Sequence, residues 1–477
     1  MPLVPAVQLL DSRGRPMRNS AYESATTARR GANWNAPGSG PNQALSYSLT
    51  TLRNRARAAE RNNPWLWSAI DRLVSNEVGV GVTLRPRAKD PDFRKAAVSL
   101  WERSRRELDP EGTLDFGGMQ AQAVRARRVA GEVFIRRRRR TNDSPLAVPL
   151  QIQILEAEFM PVGDHRDLPN GNSIRDAIEF DPRGARVAYW PYIAHPSDDT
   201  RGSGWNRQVR VPAEDIIHHY LPTRPGQRRG EPTAVRSLLP ARTFDTYEDA
   251  ELMRKQTRAP FTGAVYREAF TDQDWHYDPF TGAPITNLDA PQIDVEPGTF
   301  LGLAPGEKLQ LFDADDNGQG LDAYSRTVLL KICAGFGVPF ELVTGDWSKV
   351  NDRLVRAVLN EFHRSIEAAQ DHLLIFQVCL GVWAWWMDAA VFAGRLPAPG
   401  YATARHDYLA VQARPHGWRY VNPAQDVDAK IKAIGARLTS RITAIDEQPG
   451  PSAEEIDAQI QDDPWAMTPT PTAPGAA

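Results

Sequence analysis

Closely spaced carboxylates are the residues of this 477-residue chain best suited to hold a metal ion: Asp272 with Asp274, and Asp315 with Asp316. Such pairs can bind magnesium in a nuclease, although an acidic surface has the same composition. The string Asp313-Ala-Asp-Asp-Asn-Gly opens like a calcium loop, with oxygens from Asp313, Asp315 and Asn317. Its twelfth position, where a bidentate glutamate normally closes the site, is Tyr324, so a capped turn before the next helix is the competing reading. His218 and His219 are adjacent, and on a strand they point to opposite faces, which suits structural histidines better than a shared metal.

Other chemistries have no anchor. Gly226-Gln-Arg-Arg-Gly-Glu-Pro-Thr lacks the lysine and the spacing of a phosphate-cradling Walker loop, which disfavours an ATPase. His-Glu-x-x-His, Gly-x-Ser-x-Gly and paired Cys-x-x-Cys do not occur. The chain is therefore expected to be no enzyme and to use no cofactor. The readings kept open are a metal-dependent nuclease that uses these carboxylates and a scaffold protein with no nucleic-acid role. Arg136 to Arg140 could grip phosphate, but such a run is also a common solvated strand end or subunit contact.

The elements that position these residues can be read from length and pattern. The length implies two to four domains or subdomains, and 38 prolines with 34 glycines imply many boundaries. A formal charge of −2 predicts no overall attraction to nucleic acid, so local blocks matter more than the sum. Cys333 and Cys379 both sit in apolar helical patterns, as buried thiols in a reducing compartment do. The first ten residues have no basic start and contain prolines, so no cleaved signal peptide is expected. The apolar segment 372–387 is too short for the ~20 residues of a bilayer span and reads as a core helix.

Residues 1–62, with sparse large aliphatics, read as a flexible basic arm. Trp65, Trp67, Ile70 and Val74 are spaced for one helix face, and Val78-Gly-Val-Gly-Val-Thr-Leu reads as a strand. Helices are expected over 91–107 and 117–128. Period-two alternation from Glu132 to Tyr220 makes a mainly β region. A helix over 240–258 and another ending near Phe336 flank a proline- and glycine-rich section whose carboxylates face almost no Lys or Arg. That acidic unit hangs from a helical hairpin. Gly335, Gly337, Pro339 and Gly345 then break the chain before a helix of about forty residues. Its apolar stripe is Val355, Val358, Phe362, Ile366, Ala369, Leu373, Phe376, Leu380, Trp383 and Met387, with a kink expected at Gly381. A strand-like piece over 408–412 and a short helix over 427–438 follow.

An ordered set of short motifs resembles the lambda-type branch of the tailed-phage portal proteins. They are Arg61-Asn-Asn-Pro-Trp, Val78-Gly-Val-Gly-Val, Gly131-Glu-Val-Phe, Ile178-Glu-Phe-Asp with Val187-Ala-Tyr, Gly226-Gln-Arg-Arg-Gly, Tyr247-Glu-Asp-Ala-Glu-Leu, and Gly337-Val-Pro with Gly345-Asp and Asn351. The set runs from about residue 60 to 440. The resemblance implies an α+β portal-type fold. Its parts would be a mixed α/β, strand-rich wing (63–239), a first stem helix (240–258), an acidic clip (259–318) and a second stem helix (319–337). A hinge and tunnel loop (338–352), a long spine helix (353–393), a wing return with a short helical crown (394–445) and an acidic, Pro/Thr-rich disordered tail (446–477) would complete it.

It also implies a ring of about twelve subunits at one capsid vertex of the virion, assembled in the host cytoplasm, through which double-stranded DNA is packaged and ejected. Partners would be the terminase large subunit carrying the motor, the major capsid or scaffold protein, and head-completion or tail connector proteins, with no membrane. Asp346, Trp347, Ser348 and Lys349 would face the DNA channel from the tunnel loop. Asp272, Asp274, Asp278, Asp294 and Glu296 would face the terminase from the clip. An acidic exit repels the duplex, which leaves DNA free to slide where a lining of Lys and Arg would hold it.

Overall fold

The computed structural model describes residues 36–198, 206–258, 263–267, 281, 307–311, 319–418, 423–446 and 453–463. Helices and antiparallel sheets share one main core, an α+β arrangement.

The chain enters as a 22-residue helix, Pro41–Asn62, which buries Leu49, Arg53 and Ala56. This corrects the expectation of a flexible arm for that stretch; residues 1–35 lie outside the described residues. Leu45, Leu49, Leu52, Ala56 and Ala59 recur at helical spacing, but the face is narrow and small-residue-rich, and Arg53 lies beside it. Asn63 then caps the helix Pro64–Val78, its Oδ1 accepting from Leu66 N at 3.0 Å, with Pro64 at the first helical position. Leu66, Ile70, Leu73 and Val74 face the core, whereas Trp67 is half exposed. The strand expected from Val78 is shorter than the motif. Gly79 and Gly81 turn the chain at φ +56° and +105°, and only Thr83–Pro86 pairs, antiparallel, with Val411–Arg414.

Helices Pro91–Ser104 and Phe116–Ala130 carry Trp101 and Phe116 into an aromatic cluster with Trp383 and Trp386, ring centroids 4.9 to 5.5 Å apart. Glu132–Arg139 is the middle strand of a three-stranded sheet, between Leu150–Leu155 and Ile216–Tyr220. Five short strands, from His165–Asp167 to Val211–Pro212, form an antiparallel meander beside it.

Leu238–Arg258 and Gln319–Phe336 form an antiparallel hairpin: Ser237 Oγ donates to Ile332 O at 3.0 Å, while Tyr247 meets Tyr324 at 4.6 Å. Between them, Gly263–Arg267 pairs with Glu307–Leu311.

The long helix runs as Asp352–Ala369, a π-helical stretch Gln370–Cys379, and Leu380–Phe392. The irregularity therefore precedes Gly381, the expected kink. At Gly381 the helix is regular, and a side chain there would meet Ile217 at 2.7 Å. The π stretch widens the turn, so the buried face continues as Gln370, Leu374, Val378, Val382, Trp386 and Ala390. Phe376 and Leu380, expected in the stripe, are exposed as a result. Trp383 and Met387 remain buried.

Residues 408–409 close a helix, Tyr401–Leu409, and the strand starts at Val411. The expected 427–438 helix is Pro423–Gly435. The expectation of a disordered tail is corrected for Ala453–Asp462, a helix with Glu454 and Glu455 in its first turn, where the helix dipole favours them. Glu455 pairs with Arg85 at 2.9 Å and Asp457 with Arg441 at 2.7 Å.

Candidate functional site

The short helix Phe340–Thr344 follows the hairpin and ends at Gly345, φ +74°. From there the loop reaches Asn351, whose Oδ1 accepts from Leu354 N at 2.9 Å and starts the long helix. The residues expected to face a channel have distinct surroundings. Asp346 is engaged: Ser348 N and Oγ donate to its Oδ1 at 3.0 and 2.6 Å, and Arg326 donates to its Oδ2 at 3.1 Å. Those bonds, Ser348's foremost, hold its carboxyl below the usual range. Trp347 lines an apolar crevice with Leu342, Val350, Val355 and Val358, and keeps part of its ring in solvent. Lys349 is exposed at the loop tip and has no ion pair among the described residues.

Asp272, Asp274, Asp278, Asp294 and Glu296 lie outside the described residues, as do Asp313, Asp315, Asp316 and Asn317. One His/carboxylate group with metal-like spacing, Glu156, Glu158 and His195, occurs among the described residues. Arg57 occupies it, donating to Glu156 at 2.9 Å and to Glu158 at 2.7 and 3.2 Å, so the negative charge already has its cation. Of the arginine run, Arg137 and Arg139 lie on Asp215 at 2.6 and 3.2 Å, and Arg140 donates to Gln151 at 2.8 Å.

Behind the loop and hairpin, two buried carboxylates hold the body together. Glu132, fully buried, accepts from Arg53, from Arg229 Nε at 2.7 Å, from His218 Nε2 at 2.8 Å and from Gly230 N at 2.9 Å. Burial alone would push its pKa up; Arg229, Arg53 and His218 hold it far below the carboxylate range. Arg229 also donates to the carbonyls of Ala157, Met160 and Asp176. The two glycine-bearing motifs meet here: a side chain on Gly230 would sit 2.0 Å from Gly131 O. Glu77, the second carboxylate, binds Arg127 at 2.5 and 2.7 Å and Arg128 at 2.5 Å.

His218 and His219 do point apart, as period two requires. His218 Nδ1 takes Arg186 at 3.2 Å while Nε2 faces Glu132, and His219 Nδ1 meets Gln377 Oε1 at 2.9 Å. Burial, with Arg127 beside it, pulls His219 down to about 3. The unfolded chain titrates near 6.5, so this neutral histidine stabilises the fold above that pH and the contribution fades as pH falls from 6.5 toward 3. Between pH 6.5 and pH 5 the loss is about 2 kcal/mol. Thermal melts at pH 7 and pH 5 should show a drop in Tm that is smaller in His219→Gln; equal drops would remove the histidine as its source.

The Glu132 cluster was missed in the sequence. Its signal was charge inside apolar or glycine-rich runs, at Glu132 and at Arg229.

Residues 27–370 match the family model described as phage portal protein, lambda family. The chain is 24% identical over 427 residues to the probable portal protein of Halomonas phage phiHAP-1, covering 87% of this chain and 80% of that one. It is 21% identical over 363 residues to portal protein B of Escherichia phage lambda, covering 69% and 66%. Among solved structures it is similar to a chain from the neck of an empty GTA particle, at 13% identity and TM-score 0.48, covering 89% of this chain and 97% of that one. The family match spans well over half of the sequence. This chain belongs to the lambda family of phage portal proteins.

Proposed function

We propose that copies of this chain form a ring of about twelve subunits that joins head to tail, with the 345–351 loop turned toward a channel for double-stranded DNA. The observation that carries the reading is the hairpin Leu238–Arg258 with Gln319–Phe336. Over 245–256 the first helix is exposed along nearly its whole surface, and Leu239, Leu252, Met253, Tyr324 and Leu330 all leave apolar area in water. A two-helix projection with apolar flanks needs neighbours, and a closed ring supplies them on both sides.

In this assignment residues 63–239 form the wing, the hairpin the stem, 259–318 the clip, the long helix the spine and 423–446 the crown. The acidic clip residues Asp272, Asp274, Asp278, Asp294 and Glu296 face the terminase large subunit. The wing meets the major capsid or scaffold protein, and head-completion or tail connector proteins dock after packaging. The particle belongs to the virion and is assembled in the host cytoplasm. The chain performs no catalysis of its own; the motor lies in the terminase. Of the loop residues, Lys349 touches passing DNA with Ser348 beside it, Asp346 shapes the loop, and Trp347 fixes its base. A single exposed lysine per subunit gives weak, renewable phosphate contacts that permit sliding.

Deleting residues 345–350 should leave rings intact and cut the yield or length of packaged DNA severalfold, measured on gradient-purified heads. Packaging at the parental level with the loop absent would remove the loop from the channel.

A further inference from the structure

The loop is short, glycine-started and exposed at its tip, yet three separate contacts restrain its base. Arg326, on the second helix of the hairpin, donates to Asp346 Oδ2 at 3.1 Å, and its guanidinium lies 4.5 Å over the ring of Phe340. Asp346 uses its other oxygen to order Ser348, and its own N–H donates to Thr344 Oγ1 at 3.2 Å. Trp347 lines an apolar crevice with Leu342, Val355 and Val358.

Asp346 is therefore a joint: one oxygen shapes the turn that presents Lys349, and the other takes a charged bond from a different element. The planar guanidinium can stack on Phe340 and bond the carboxylate at the same time, a geometry an ammonium cannot copy.

We propose that Arg326 is the positioning residue of the 345–351 loop, tying it to the stem helix so that loop and helix move as one body. Displacement of the helix would then carry Lys349 with it. The tether is a property of the single chain; its bearing on DNA rests on the portal reading given above.

The test uses a nitroxide on Lys349→Cys in the full chain. Cys333 and Cys379 are buried and their thiol pKa values are raised by burial, Cys333 to about 11 and Cys379 further, so the label goes to the introduced thiol. The parent should give a mainly immobilised spectrum. Arg326→Ala should raise the mobile fraction at least threefold, and Arg326→Lys should fall between the two. Asp346→Asn, which keeps the turn's size and removes the charge, should also loosen the label, and it guards against a fold defect in the alanine variant. An unchanged spectrum in both Arg326→Ala and Asp346→Asn would overturn the tether. In unlabelled heads carrying Arg326→Ala, packaged DNA should fall severalfold. A loosened label with parental packaging would leave the tether standing and contradict the channel role of the loop.

Discussion

Glu132→Ala should lower the melting temperature by about 10 °C or abolish soluble expression. The carboxylate is fully buried and answers two buried guanidiniums, Arg53 and Arg229, as well as His218 and Gly230 N. Removing one partner of a buried ion cluster costs about 3–5 kcal/mol, because the remaining charges stay out of water without compensation. A domain is stable by only about 5–15 kcal/mol, so the loss is a large fraction of the total.

Geometry adds to the charge term. Arg53 belongs to the helix Pro41–Asn62, Glu132 to the middle strand, His218 to its neighbour and Arg229 to the loop that follows. One carboxylate thus ties its own strand to two stretches far from it in sequence, the helix Pro41–Asn62 and the strand and loop over 216–230. Glu132→Gln keeps the shape and some of the hydrogen bonds, and should fall between parent and alanine. Differential scanning calorimetry reads the series; an alanine variant melting within about 2 °C of the parent would show that the cluster contributes little.

The second large effect is on assembly and leaves folding alone. In the single chain Leu252 and Met253 are 55% and 61% exposed, so an Asp at both positions removes almost no core packing. If the stem flanks meet neighbouring subunits, the double variant Leu252→Asp, Met253→Asp loses about 1.5–3 kcal/mol of apolar burial per side chain and places charge in each interface. Ring formation repeats that penalty at every junction. The fraction of subunits in rings should fall at least tenfold at a concentration where the parent is assembled, while the melting temperature of the monomer stays within about 2 °C. Rings at parental abundance would put the stem flank outside the interface.

The parts of this fold that could be read in the sequence were those bounded by strong punctuation. The first hairpin helix starts within two residues of its expected bound because Pro240 marks it, the second ends at Phe336 where Gly337 and Pro339 stop it, and the long helix starts where Asn351 can cap it. Three features escaped. The helix Pro41–Asn62 hides its narrow face behind small residues, and its buried Arg53 looks like a surface charge until Glu132 is placed beside it. The apolar stripe of the long helix matches the buried face at Phe362, Ile366, Leu373, Trp383 and Met387 and misses it at Phe376 and Leu380, because a ten-residue π stretch changes the period that the pattern assumes. The loop is legible from Gly345 and Asn351 at its ends, but nothing local announces that Asp346 is partnered by Arg326, twenty positions earlier on another helix. Long-range charge pairing leaves no periodic trace.

The central claim is that these subunits enclose a channel, and the direct measurement is mass photometry of purified protein combined with negative-stain imaging of the same sample. The account predicts a species about twelve times the 53.1 kDa chain, seen end-on as a ring with a central hole. A sample that stays monomeric under assembly conditions, or that assembles into particles without a hole, would contradict it.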